Sequence, residues 1–360
     1  MCSSDLVSEA LGIINTIPNA SGAVFRRPVA MPLLEDEEWL SMRVVGDWVF
    51  YLNLLRGGKI AYNIETTNYF RRYDSSTAAS TYKKEAFYRE LGIAAQTVQA
   101  LYNVPESVLG QCRKKCKWYY ELHGGLSDGE FNRWFNEELV RKARSHRLPN
   151  IVVTTQGFYP GGAEILPIRM ANEFKRQGHS VLLLSGGHGQ PEDGVRRMVR
   201  NDVPVVETSD LETTKNVFRD FGIEVLNSHQ WHVQKYPIQL PDIFLNLKAH
   251  VASLHGMIEY GDAFGVTSEQ LKVAHQNVST WVYTADKNLG PFIEHGLYEE
   301  GSRRFIKFPN GMEPPPEIRA VPRAEMGIPE SAFVLCCVSR AIPDKGWQET
   351  IEAVDRKSVV

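Results

Sequence analysis

Cysteine is scarce, long apolar runs are missing and neither sign of charge dominates. Five cysteines in 360 residues are too few and too scattered for the disulfide framework of a small secreted domain. No apolar stretch approaches the ~20 residues that a membrane-spanning helix needs. The amino terminus lacks the basic stretch and apolar core of a secretory signal. The net charge is -3, so the totals exert no strong pull toward nucleic acid or an anionic bilayer. What is present is the balance of an ordinary globular protein, with 43% hydrophobic and 23% charged residues, in a chain long enough for two domains. A reducing, cytoplasmic setting is expected. Cys336 and Cys337 lie within an apolar run and are expected in a core. Cys112 and Cys116, one helical turn apart in QCRKKCKWYY, have no further ligand at metal-binding spacing and read as structural or surface thiols.

Both ends look foreign to the rest. MCSSDL and DRKSVV correspond to translated sequencing-adapter DNA, so residues 1–6 and 355–360 are set apart from fold reasoning. The protein proper is then expected over Val7 to Val354, with both natural ends missing.

Three textures divide that stretch. Residues 7–95 mix short apolar runs with aromatic and basic clusters. Within them WVFYLNLL has helical spacing and stops at Gly57-Gly58, and KIAYNI reads as a short strand. A charged helical stretch follows to about Arg147, broken by Pro105 and Gly124-Gly125. It reads as a helical connector over 96–148. From Asn150 short apolar strands alternate with helices: IVVTT, SVLLLSG, VPVVE, IEVLNSH, HVASLHG, TWVYTA and RFIKFPNG. This order predicts an α/β domain over 149–312 with a doubly wound parallel sheet. A proline-rich connector and the start of a further domain occupy 313–354, where FVLCCVSR reads as a buried strand and GWQETIEAV as a helix.

Several strand ends carry candidate chemistry. Gly161 and Gly162, in QGFYPGGAE between a strand and a helix, permit either phosphate binding at the helix amino terminus or a plain turn. Arg340 and Lys345, in SRAIPDKG, read either as a pyrophosphate clamp or as two solvated cations. His255 and Gly256 follow an apolar strand at the sheet edge where ligands bind, although a histidine there can also cap a helix. His229 and His232 form another strand-end pair, and a zinc site there lacks a third ligand.

Taken together and in order, TTQGFYPGGAEILPIRMANEFKRQGHSVLLLSGG, NSHQWH, SLHG, VYTADKNL, FPNGM and VSRAIPDKGWQETIEAV resemble glycosyltransferase family 4 over roughly residues 150–354. The resemblance implies the Rossmann-like first half of a GT-B fold and the beginning of its donor-binding half. It implies a nucleotide-sugar donor, a glycan or lipid-linked glycan acceptor, retaining chemistry and no metal cofactor in this part. Gly161 and Gly162 would then lie near the donor phosphates, His255 at the donor sugar, and Arg340 and Lys345 at the pyrophosphate. The family's acidic donor-gripping motif lies beyond the quoted residues, so no transfer is expected from this chain alone.

The segments IPNASGAVFRR, GDWVFYLNLLRGGKIAYN and NYFRRYDSS are similar to the carboxyl-terminal part of a family-2 glycosyltransferase of the GT-A type. That similarity implies an α+β GT-A remnant over 7–95, with Asp47 as general base on the acceptor hydroxyl. Read from its position alone, Asp47 can equally be the N-cap of the following helix. Tyr73 stands where the family often has a metal-linked histidine, and a divalent cation is an expectation for the GT-A module of the parent enzyme. The whole reads as part of a multidomain polysaccharide-building enzyme, cytoplasmic or at the inner face of a membrane with peripheral contact, and without nucleic-acid partners. Two rivals remain open: a sugar-nucleotide epimerase of the same fold, and a non-catalytic nucleotide-binding or scaffold module.

Overall fold

The computed structural model describes residues 6–17, 20–35, 37–65, 67, 69, 81, 84–187, 194–229, 232–255, 267–311, 320–336, 338 and 345–357. The chain divides into two compact units, Met1–Asn310 and Gly311–Val360. Of the terminal segments expected to be foreign, Leu6 leads into the turn Val7–Leu11 and Asp355–Lys357 continue the last helix. Their other residues lie outside the described ones.

The first unit opens with a helical layer. Trp48, Leu52 and Leu55 recur at the spacing of one helix face, and helix α1 (Gly46–Leu55) forms there. Gly57 follows with a φ of 70°, a left-handed conformation that glycine adopts at little cost. Four further helices follow in the layer: α2 (Glu85–Leu101), α3 (Glu106–Leu122), α4 (Asp128–Trp134) and α5 (Glu137–Ser145). Pro105 is the N-cap of α3, while the side chains of Ser127 and Asn136 cap α4 and α5. These caps satisfy amide groups that the first helical turn leaves without partners.

One core unites the layer, drawing on Trp48 and Leu52 of α1, Tyr88 and Leu91 of α2, Leu109 of α3, and Phe131 and Val140 further on. Helix α2 passes without a break through the boundary expected between residues 95 and 96. The helices of this stretch share a core with α1. Cys112 and Cys116 are buried in this core. The strand expected over KIAYNI does not form. Apart from an isolated bridge at Lys59 the segment has no ladder, and Tyr62 and Ile64 are exposed. A strand without a partner or a covered face has nothing to stabilise it in water.

From Asn150 the expected parallel sheet is present. Its strands are β1 (Asn150–Thr155), β2 (Ser180–Ser185), β3 (Val205–Glu207), β4 (Val225–His229), β5 (Ala249–Leu254), β6 (Thr280–Tyr283) and β7 (Phe305–Lys307). All pairings are parallel, in the order β3-β2-β1-β4-β5-β6-β7. Helices α6 (Gly162–Arg176), α7 (Leu211–Asp220), α8 (His232–Gln239) and α9 (Ser268–Asn277) lie between strands. Successive strand residues point to opposite faces. Ile151, Val153, Val181 and Leu183 therefore pack with Phe158, Ile168 and Ala171, while Val152, Leu182 and Leu184 pack with Val217, Phe218 and Tyr236. Both faces being covered, these strands must be apolar throughout, and IVV and VLLL are.

The helical layer meets the sheet at the amino ends of the strands. Arg147 grips Glu224 with two hydrogen bonds of 2.5 Å, Lys248 reaches the same carboxylate at 2.7 Å, and the Asn150 amide donates to it at 3.1 Å. Arg56 donates to the Gly178 carbonyl just before β2. The carboxyl ends of the strands lie at the opposite edge from this seam. Strand order reverses between β1 and β4, the position at which sheets of this kind bind ligands in a crevice outside the carboxyl ends of the strands.

In the unit Gly311–Val360, helix α10 (Trp347–Lys357) forms as expected. The buried strand expected at FVLCCVSR does not. Its described residues have no ladder, Phe333 and Val338 are both 89% exposed, and Cys336 is exposed rather than in a core. A parallel strand needs a neighbour for its amide and carbonyl groups, and this unit has no other strand among the described residues. Among the described residues no helix is long and apolar enough to cross a membrane.

Candidate functional site

The loop that leaves β1 is pinned before it reaches α6. The Thr155 hydroxyl donates to the Gly157 carbonyl at 3.0 Å, Phe158 is fully buried, and its carbonyl accepts from the Val195 amide at 2.8 Å. Gly161 is the N-cap of α6 and Gly162 its first residue. The two glycines differ in surroundings. A Cβ on Gly162 would meet open space, whereas one on Gly161 would strike the Glu164 carboxylate at 2.3 Å. Glu164 thus places a negative charge in the first helical turn, where the helix dipole favours it. An anion approaching this turn has Gly162 as its open side.

At the same carboxyl edge, β4 and β5 end in a row of polar side chains. The register pairs Asn227 with Val251 and His229 with Ser253. Asn227, His229, Val251, Ser253 and, two residues on, His255 thus share one parity. The His229 Nδ1 and His255 Nε2 atoms are 2.9 Å apart, and His229 Nε2 lies 2.8 Å from Asn227 Oδ1. The Asn227 amide nitrogen faces the Val251 carbonyl at 3.4 Å, which turns its oxygen toward His229. The His229 amide donates to the Thr154 hydroxyl at 3.1 Å, tying the β4 end to β1. His229 is fully buried and His255 is half-buried. Burial drives the His255 pKa down to about 4, because an imidazolium there would lose its hydration. His255 is therefore a neutral imidazole at pH 7. A scan of family models finds no match, and neither curated proteins nor solved structures match the chain. The groups this edge offers a ligand are a neutral imidazole, hydroxyl groups and an open glycine at a helix amino terminus.

Of the expected site residues, Gly161, Gly162 and His255 stand on this carboxyl edge. Gly256 and Arg340 lie outside the described residues, and Lys345 is exposed ahead of α10 in the second unit. His229 partners His255, 26 residues on. His232 opens α8, and its side chain, and with it the expected pairing of His229 with His232, lies outside the described residues. The readable signal was parity: NSH and SLH each end an apolar strand on a histidine, and neighbouring parallel strands bring such ends together. Among the described residues no cluster of three histidine, cysteine, aspartate or glutamate side chains is placed to hold a metal.

Asp47 lies in the helical layer. It is not the N-cap of α1: that position belongs to Val45, and Asp47 follows Gly46 in the first turn. Its carboxylate accepts from the Trp48 amide at 2.7 Å. Partial burial of the carboxyl raises its pKa, against hydrogen bonds from Trp48 and Asn15 that lower it. The preceding loop is held from a distance, since the Glu90 carboxylate accepts from the amides of Arg43, Val44 and Val45 at 2.9, 2.8 and 2.8 Å. Asp47 borders an open cavity of about 330 Å³ lined also by Trp39, Met42 and Arg43. Tyr73, the position associated with metal, lies outside the described residues.

Proposed function

We propose that the α/β region is one half of a nucleotide-sugar glycosyltransferase of the GT-B kind. In this reading the donor lies across the crevice at the carboxyl edge of the sheet. The observation that carries the proposal is the convergence on that edge of the open Gly162 turn and the neutral His255, beside the strand-order reversal. A helix amino terminus suits diphosphate oxygens, and a neutral imidazole suits a sugar hydroxyl. The acceptor would be a glycan or a lipid-linked glycan.

For the helical layer the proposal is the remnant of a separate GT-A module, with Asp47 as the base that takes the proton of that module's acceptor hydroxyl. A carboxyl whose pKa is raised by partial burial, beside a cavity, is suited to that step. Both parts can be tested. Titrating the protein with a panel of nucleotide sugars is expected to shift the NMR signals of Gly162 and His255 together. A panel that moves neither would remove the GT-B reading and favour a scaffold module. In any preparation that transfers sugar, Asp47→Asn is expected to slow turnover by about 10²–10⁴-fold, the usual contribution of a general base. Unchanged turnover would leave Asp47 a helix-stabilising residue only.

A further inference from the structure

The hydrogen-bonded row Asn227, His229, His255 ends in an amide, and that end dictates the rest. A carboxamide oxygen only accepts, so His229 must carry its proton on Nε2 to donate at 2.8 Å. In a neutral ring the other nitrogen, Nδ1, is then an acceptor. The partner 2.9 Å away, His255 Nε2, must therefore be the donor, which leaves His255 Nδ1 with an unshared pair. The ring centroids are 5.3 Å apart and the planes are inclined by 26°. With the nitrogens so much closer than the centroids, the contact is edge to edge and the bond runs near both ring planes. The amide cannot take up a proton, so the row does not shuttle charge; it selects a tautomer.

We propose that Asn227 and His229 are positioning residues that lock His255 in its Nε2–H form, so that its Nδ1 serves as an acceptor for a ligand hydroxyl. An acceptor at this place discriminates. It welcomes an O–H donor and repels fully ionised phosphate or carboxylate oxygens, which offer no proton to share. The ligand assignment rests on the glycosyltransferase reading above, where that hydroxyl belongs to the donor sugar; the tautomer does not.

The test is ¹⁵N NMR of the histidine-labelled protein without ligand, with His255 assigned by its loss in His255→Ala. In the unaltered chain His255 is expected to show a protonated Nε2 and an unprotonated Nδ1. In His229→Phe, which keeps a ring but removes the acceptor, the Nδ1–H form is expected to become populated. Asn227→Asp gives His229 a carboxylate against which to hold a second proton. His229 Nδ1–H should then donate, and His255 should turn to its Nδ1–H form. An Nδ1–H form in the unaltered chain, or the same tautomer in all three proteins, would overturn the proposal. Because no donor is present in the measurement, a failure to bind nucleotide sugars would count against the glycosyltransferase reading and leave the tautomer lock standing.

Discussion

The helical layer and the sheet each bury a glutamate, and they satisfy it in different ways. Glu90, on α2, spends its carboxylate on three backbone amides of the loop before α1. Glu224, at the start of β4, spends its own on Arg147, Lys248 and the Asn150 amide. The first bond set shapes a loop inside one layer; the second joins two layers. The helices obtain their geometry from near neighbours, with one aromatic-rich core to hold them. The parallel strands obtain theirs from distant segments, and so a charged clamp at the strand starts bears on the whole unit. The same contrast extends to histidine. Among the described residues the buried histidines, His229 and His250, are both in the sheet.

The sharpest way to break this comparison is at the clamp. Glu224→Ala leaves the 8%-exposed Arg147 side chain without its carboxylate. Removing one member of a buried pair typically costs about 4 kcal/mol, measurable as a lowered urea midpoint. A loss under about 1 kcal/mol would mean that the seam is open to water and contributes little.

Acid should act next, and on the sheet first. Burial lowers the pKa of His250 to about 3 and that of His255 to about 4, so the unfolded chain binds protons that the folded chain refuses. Stability is therefore lost as pH falls below about 6.5, by roughly 3 kcal/mol at pH 4 for His250 alone. Glu224 adds to this lower down. Burial raises its pKa, but the Arg147 and Lys248 bonds outweigh that and hold it at about 2, so its contribution is full above the ordinary glutamate range and fades as pH drops toward 2. Hydrogen exchange at pH 4 should show the β-strand amides opening before those of α2. Simultaneous opening would show that the two regions unfold as one.

Within the helical layer the matching change is Glu90→Ala. Three amides lose their acceptor, and about 2 kcal/mol is expected, since an unpaired buried group costs about 1–3 kcal/mol. The Trp48 fluorescence should change with it, because the loop beside Asp47 is released; an unaltered spectrum would argue that the loop holds itself. The smallest effect is expected at a cap on the sheet side. Asp210 accepts from the Thr213 amide at 2.7 Å, and Asp210→Ala should cost about 1 kcal/mol in thermal unfolding.

Much of the fold was readable because the signals were local. Helical spacing with Pro105 and Gly124-Gly125 delimited the helices, and short apolar runs from Asn150 onward marked all seven strands. The two misread strands, KIAYNI and FVLCCVSR, had the composition of strands but no partner, and composition does not report partners. Of the candidate site, Gly161, Gly162 and His255 were visible as strand-end residues. The partnership of His229 with His255 was not, since it depends on β4 and β5 being neighbours in a particular register. Glu90 gave no signal at all; its role appears only when α2 packs beside a loop 45 residues earlier.

The sequence by itself determined the helices, the apolar strands covered on both faces and the strand ends that carry polar residues, because each follows from period and side-chain chemistry along a few consecutive positions. The tertiary structure alone decided the strand order with its reversal between β1 and β4, the clamp at Glu224, the hold of Glu90 on the loop before α1, and the row from Asn227 to His255. Those are contacts between segments far apart in the chain, and they are fixed by the packing that brings the segments together.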